Sequence, residues 1–328
     1  MNKSIKIIIN WVIGPLLAVW LFYSLYNQIK NQQGIEASIA LIKQAPFGPQ
    51  AFKFWLIILM ALGNWGIESR KWQILVNRIQ PMQFFMAVKS VLCGVALSLN
   101  TPNRIGEYGG RVLFIQEGKR LQAVSLSIAG SIAQLIITIL MGSIGLLFAL
   151  NNLLEGEQLM GLSKFWIETF IYLSFFVTAL VVLFYFKLSW LIRIIDKLPY
   201  ANKFEKYINV LENFDAKVLL RMLLLSFLRY IIFVLQYVLM LQLLNVQIDW
   251  WHAFWIITVL FWVLAVVPSI AIAELGIRGK FAVALLNLYS NNVVGIIGTT
   301  FGIWFINLFI PAILGSILIL GKKIFKDK

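Results

Sequence analysis

Six stretches of this chain stay apolar for about the 20 residues a helix needs to cross a hydrocarbon core. They fall at 5–27, 52–76, 123–150, 165–187, 219–243 and 294–320, and each predicts a transmembrane helix. Two further apolar regions, 84–120 and 251–292, are broken in the middle. The first carries Asn100-Thr101-Pro102-Asn103. The second is interrupted at Pro268-Ser269 and again at Gly276. Proline removes a helix hydrogen bond and clashes with the preceding turn, so a helix stops there. Each broken region therefore predicts a re-entrant helical hairpin that enters the bilayer and leaves on the same side. Irregular backbone is tolerated at that depth only where protein or a water-filled cavity surrounds it.

Composition strengthens this reading. Hydrophobic residues make up 60% of the 328, charged residues 13%, and mean hydropathy is +0.85. Soluble domains carry about 25% charged residues. The expected fold is an all-α polytopic membrane protein, a single transmembrane domain over 1–328. No polar block is long enough for a soluble catalytic domain. Lys3 and Lys6 precede the first apolar run, which has no small-residue cleavage site and reads as a retained span.

The net charge of +14 sits in loops between apolar segments. That distribution fits orientation and contact with anionic lipid headgroups, not nucleic acid. Basic residues gather at Arg70–Lys89, Arg104–Arg120, Lys187–Arg221 and the tail Lys322–Lys328. The loops 151–163 and 245–251 are poor in them. Six spans with both termini cytoplasmic satisfy this pattern, and the expected location is the inner cell membrane. The first hairpin then enters from the cytoplasm and the second from outside. Residues 1–150 and 165–320 each read span, span, hairpin, span, with opposite orientation. Such an inverted repeat places its substrate site where the hairpin tips meet near the midplane. Leu188–Tyr200 has apolar residues at helical spacing and reads as an interfacial amphipathic helix.

One short motif occurs once in each hairpin. Glu107-Tyr108-Gly109-Gly110-Arg111 and Glu274-Leu275-Gly276-Ile277-Arg278 both read Glu-x-Gly-x-Arg. Residues four apart share a helix face, so each Glu can pair with its Arg. The glycine between them permits close helix packing or approach of a headgroup. A carboxylate that opens a half-helix sits at its positive end, and a phosphate is favoured there when arginine adds countercharge. The plainer reading is a salt bridge that locks each hairpin. Duplication of the motif, with Arg278 on the basic-poor side, favours a binding role. Charges at membrane depth cost at least about 2.5–3.5 kcal/mol unless paired or in use. Arg104 beside the first break and Arg229 inside its span join the candidates on that ground. Arg229 has an alternative role as the countercharge of Glu68. Glu68 and Arg70 themselves read as interfacial anchors.

The remaining polar and aromatic positions have structural readings. Trp55, Trp65, Trp72, Trp250, Trp251 and Trp255 read as interfacial belt residues, and His252 as a span-edge residue. Gln134, Gln236 and Asn307 read as hydrogen-bond groups between helices. Cys93 reads as a small packing residue. One His and one Cys offer no zinc cluster, no cofactor is implied, and no phosphate loop or nucleophile elbow occurs.

At these residues the sequence resembles a known family. Leu99-Asn100-Thr101-Pro102-Asn103-Arg104-Ile105-Gly106-Glu107, with Arg111, is similar to the P-x-R-x-G-E motif of the lysylphosphatidylglycerol synthase transmembrane-region family, also called flippase-like. Val267-Pro268 through Arg278 resembles its second motif, and Arg70-Lys71-Trp72 its early Arg-Trp element. The second motif departs from the pattern: Ala271, Ile272 and Ala273 replace the small-residue run, and Gly279 follows Arg278 in place of an acid. The cytosolic aminoacyl-transferase domain of the bifunctional synthases has no counterpart here. The resemblance implies translocation of a phospholipid between leaflets, or handling of a polyprenyl-phosphate lipid, and no aminoacyl transfer by this chain. The expected substrate-binding residues are Arg104, Glu107, Arg111, Arg229, Glu274 and Arg278, and the expected partner is a phosphate-bearing or aminoacylated lipid. Two alternatives stay open: an accessory protein of lipid or envelope biosynthesis, held to a lipid-modifying partner or to copies of itself, and an integral-membrane lipid-phosphate transferase.

Overall fold

The computed structural model describes residues 43–98, 101, 104–152, 163–187, 215–267 and 271–320, with the side chains of 152, 271–275 and 320 excepted. The first expected span and the amphipathic segment Leu188–Tyr200 lie outside the described residues. Where described, the apolar runs are helices: α1 (Ala51–Val76), α2 (Phe84–Ser98), α3 (Gly106–Val112), α4 (Arg120–Asn152), α5 (Lys164–Phe186), α6 (Ala216–Leu243), α7 (Trp250–Val266), α8 (Ala271–Leu286), α9 (Val293–Trp304) and α10 (Ile310–Leu320). A π-helical turn, Phe305–Phe309, joins α9 to α10 without a break.

Among the described residues, five helices are long and apolar enough to cross a membrane: α1, α4, α5, α6 and the continuous rod Val293–Ile319. They match the five sequence-predicted spans that fall on described residues. Several carry large apolar side chains on their outer faces, among them Leu59 and Leu62 on α1, Leu173 and Phe176 on α5, and Leu224 and Leu228 on α6. In water such faces would drive aggregation, whereas in lipid they are the solvent-matched surface. The protein is a multi-pass membrane protein.

The broken regions are also where expected. α2 stops at Ser98, and α3 folds back against it. The turn between them is fastened by Thr101, whose hydroxyl accepts from the Gly106 N–H at 2.7 Å. Arg104 takes φ of 58°, a left-handed conformation uncommon for a residue with a side chain. Two glycines let the arms touch backbone to backbone. A Cβ on Gly106 would strike the Leu97 carbonyl, and one on Gly110 would strike the Cys93 carbonyl. Gly109, the motif's own glycine, has open space, with nothing nearer than Leu97 Cδ1 at 4.0 Å. The glycine that sets the packing is therefore the motif's neighbour.

α7 and α8 form the second broken pair. The interruption at Pro268-Ser269 lies outside the described residues but between these helices. The expected second break at Gly276 does not occur, because α8 runs through it to Leu286. A glycine inside a helix costs only about 1 kcal/mol, and Gly276 is buried, so neighbouring packing holds the helix together. Asp249 caps α7 by accepting from the Trp251 and His252 N–H groups at 3.0 and 3.3 Å. His252 sits at this helix start, as the sequence predicts.

The core lies where α4, α6 and α7 meet, around Val234, Tyr237, Ile256, Ile257 and Leu260. Gly142 and Gly145 bring α4 onto the Trp255, Thr258 and Trp262 face of α7. Gly315 brings α10 onto the Leu92 carbonyl of α2 in the same manner. Small residues of this kind replace the hydrophobic drive that helices lack in lipid. Gln134 and Gln236 bridge helices, donating to Ser226 and Ile57 carbonyls. Asn307 instead donates to the Ile303 carbonyl of its own helix, one turn back.

Candidate functional site

Glu68 sits at the centre of the site, although its sequence reads as an interfacial anchor. Its side chain is 8% exposed, and both carboxylate oxygens are engaged. Oε1 accepts from Arg111 Nη2 at 2.6 Å, and Oε2 accepts from Arg229 Nη1 at 2.7 Å. Lys71 Nζ lies 3.5 Å from Oε2. The arginines come from opposite directions, Arg111 from α3 and Arg229 from midway along the 28-residue α6. Glu107 pairs with the same Arg111 Nη2, closing the motif's internal ion pair. Asn64 completes the cluster by accepting from Arg229 Nε at 2.7 Å.

The helices present this cluster through their periodicity. Asn64, Glu68 and Lys71 are spaced four and three apart, so they form one stripe on α1. That stripe is buried, at 0%, 6% and 2% exposure. Spacing on one face was the signal in the sequence that could have singled out Glu68 with Asn64 and Lys71. Arg70 points away, exposed, and donates to Gln73 at 2.5 Å.

Aromatic rings hold both guanidinium groups. Arg111 lies over Trp72 at 5.4 Å, and Arg229 over Trp65 at 5.7 Å and Phe233 at 5.5 Å. Such contacts strengthen where water is excluded. Trp72 is fully buried and donates to Ser90 Oγ at 2.8 Å, while the Ser90 hydroxyl donates to the Arg111 carbonyl at 2.8 Å. Trp65 and Trp72 are thus site residues, not members of an interfacial belt. Trp55, Trp250 and Trp251 are exposed, as a belt requires.

A cavity of about 570 Å³ opens beside the cluster. Both broken helix pairs line it. Ser98, Arg104 and Glu107 come from the first, Leu264, Val267 and Arg278 from the second. Glu68, Lys71 and Arg229 form its charged wall, with Leu135, Val266 and Leu308 among its apolar lining. Five of the six predicted site residues are therefore at or behind one cavity: Arg104, Glu107, Arg229 and Arg278 line it, and Arg111 lies within the ion-pair cluster. The Glu274 side chain lies outside the described residues, though α8 starts at Ala271 and places Glu274 in its first turn.

Charge balance gives the cavity its character. Among the described side chains, Arg104, Arg111, Arg229 and Arg278 lie at or behind the cavity with Glu68 and Glu107. Four arginines thus meet two glutamates there before Lys71 is added. Hydrogen-bond donors are also in excess. Arg111 Nε, Asn64 Nδ2, Trp65 Nε1 and Trp304 Nε1 are buried with no acceptor, against two cavity-wall acceptors with no donor, Gln134 Oε1 and Asn307 Oδ1. An anion rich in oxygen acceptors is the chemistry this environment stabilises.

The model of the lysylphosphatidylglycerol synthase TM region matches residues 8–315 of the sequence. The chain belongs to that family. The match covers all the helices described here except the end of α10, and both copies of the Glu-x-Gly-x-Arg motif. Comparison with curated proteins gives no match. Among the described residues of this family member, no group of three or more His, Cys, Asp or Glu is placed to hold a metal ion.

Proposed function

We propose that this protein is a lipid translocase of the inner cell membrane, moving a phosphate-bearing lipid between leaflets. The observation that carries the reading is the cavity lined by both broken helix pairs, with more arginines than carboxylates on its walls. The family to which the chain belongs, the lysylphosphatidylglycerol synthase TM region, points to the same substrate class. Arg104, Arg111, Arg229 and Arg278 would receive the phosphate, Glu107 and Glu274 would hold those arginines in place, and the apolar lining would meet the first carbons of the acyl chains. In this arrangement the phosphate replaces water with fixed guanidinium donors, which lowers its cost of crossing the hydrocarbon.

The packing supports an inverted repeat over 1–150 and 165–320. The first arm of each broken pair leans on the last span of the other half, α2 on α10 and α7 on α4. The equivalent spans α1 and α6 pack on each other. In this reading the broken pairs are re-entrant hairpins that enter from opposite faces, with both termini cytoplasmic. Single cysteines in Asn245–Trp251 should then react with impermeant reagents only from outside intact cells. Labelling there only from the cytoplasmic side ends the topology.

The functional test is a leaflet-quenching assay in liposomes with fluorescent anionic, aminoacylated and polyprenyl-phosphate lipids. Wild type is expected to move at least one of them, and Arg111→Ala and Arg278→Ala to lose most of that rate. Wild type that equals empty liposomes for every lipid overturns the translocase reading in favour of an accessory protein.

A further inference from the structure

Glu68 occupies a position the translocase reading does not require. A translocase needs arginines for the phosphate, yet here a carboxylate already sits between two of them. It takes Arg111 on one oxygen at 2.6 Å and Arg229 on the other at 2.7 Å. That geometry is the one a phosphate adopts between two guanidinium groups, with one oxygen per donor. Arg111 belongs to the first broken pair and Arg229 to α6, so the carboxylate also ties the two halves of the molecule together. Glu68 lines the cavity, so an incoming headgroup meets this bridge directly. The cluster can accept a second anion, since its three cations, Arg111, Arg229 and Lys71, outnumber its two carboxylates, Glu68 and Glu107, and Arg111 Nε is buried without a partner.

We propose that Glu68 is a resident stand-in for the substrate's phosphate: the arriving phosphate displaces its carboxylate from Arg111 and Arg229 and takes over the bridge between them. The inference rests on the translocase reading and adds an exchange step to it. The displaced carboxylate keeps Lys71 as its partner, 3.5 Å away on the same helix, so it is never left buried and uncompensated. Substrate binding is then one exchange of anions on the same two arginines. Glu68 acts as a positioning residue, because it works through the arginines and is not itself a ligand of the lipid.

A competing internal anion reduces apparent affinity by the fraction of molecules in which the arginines are free. Removing it should therefore tighten binding. The probe is dihexanoyl phosphatidic acid, titrated calorimetrically into purified full-length protein, with dihexanoylglycerol as the phosphate-free control. Glu68→Gln should bind the phosphatidic acid about tenfold more tightly than wild type, the shift expected if roughly a tenth of wild-type molecules have free arginines. Glu107→Gln removes the same charge from the same cluster but leaves the bridge to Arg229 intact, so its effect should be distinctly smaller. Glu68→Asp, one methylene shorter, should fall between wild type and Glu68→Gln, and it serves alone where Glu68→Gln does not fold. Equal tightening in Glu68→Gln and Glu107→Gln shows a simple charge effect and overturns the inference. So does unchanged or weaker binding by the Glu68 variants while wild type binds, and in both cases the translocase reading stands. No binding of phosphatidic acid over dihexanoylglycerol by any form removes the phosphate site, and the inference with it.

Discussion

Two adjacent glycines in α3 should respond to the same substitution with opposite signs. Gly109→Ala adds a methyl group into open space, since nothing lies within van der Waals contact beyond Leu97 Cδ1 at 4.0 Å. Alanine is favoured over glycine in a helix interior by about 0.5–1 kcal/mol, so this variant should be stabilised by that order. Gly110→Ala places its methyl against the Cys93 carbonyl and the Gly94 N–H of α2. These are backbone atoms that no rotamer change can move aside. The arms must separate, and overpacking of this kind costs about 1–3 kcal/mol. Separation also pulls Arg111 from Ser90, whose hydroxyl donates to the Arg111 carbonyl at 2.8 Å. The net difference between the two variants should reach about 1.5–4 kcal/mol, the sum of those gains and losses. Unfolding free energies in mixed detergent micelles, compared with wild type, measure it. If both variants shift stability the same way, the backbone contact between α2 and α3 is not what holds the pair closed.

Two further outcomes follow from the geometry. Glu68→Ala and Arg229→Ala should be non-additive, with a coupling of about 0.5–3 kcal/mol in the double-mutant cycle, and additive losses would separate the two residues energetically. The Asp249 carboxyl is lowered below its usual 3.8 by hydrogen bonding from the His252 side chain, then by the His252 and Trp251 N–H groups. A depressed carboxyl contributes above its unfolded value and loses that contribution as pH falls through its folded value. Amide-exchange protection at Trp251 and His252 should therefore fall below about pH 4 in wild type. Asp249→Asn keeps a cap acceptor without the titration and should not show that fall; an identical loss in both would place the pH response elsewhere.

Long apolar periodicity was enough to locate every span that falls on described residues, because length and hydropathy alone decide whether a helix can cross lipid. Pro102 and Pro268 marked the breaks for a similarly local reason. Gly276 misled because glycine lowers helix propensity without forbidding a helix, and burial outweighs that penalty. Glu68 was misread because its sequence neighbours, Ser69, Arg70 and Lys71, look like the polar end of a span. Its burial depends on Arg111 and Arg229, 43 and 161 residues away in sequence. Such pairing is set by tertiary packing, and its one local mark is the spacing of Asn64, Glu68 and Lys71 on a single face of α1. Trp72 was misassigned likewise, since an indole suits a headgroup region as well as a guanidinium contact. The duplicated motif was legible because it repeats, and five of the six site residues named from it and its surroundings, Arg104, Glu107, Arg111, Arg229 and Arg278, lie at or behind the cavity.

The pairing of Glu68 with Lys71, one turn apart on α1, has a meaning in the order of synthesis. A chain is made from its N-terminus, so Glu68 reaches the bilayer before Arg111 and well before Arg229. During that interval its countercharge on the same helix face is Lys71, one turn further along. The i to i+3 pair gives the nascent span a partner for its carboxylate until the rest of the protein arrives. When α6 is laid down, its Arg229 meets a carboxylate that already stands at the matching depth, which offsets the roughly 2.5–3.5 kcal/mol that an arginine charges an inserting helix. Lys71, last and longest of the three cationic contacts in the finished protein, is then the first in its biogenesis.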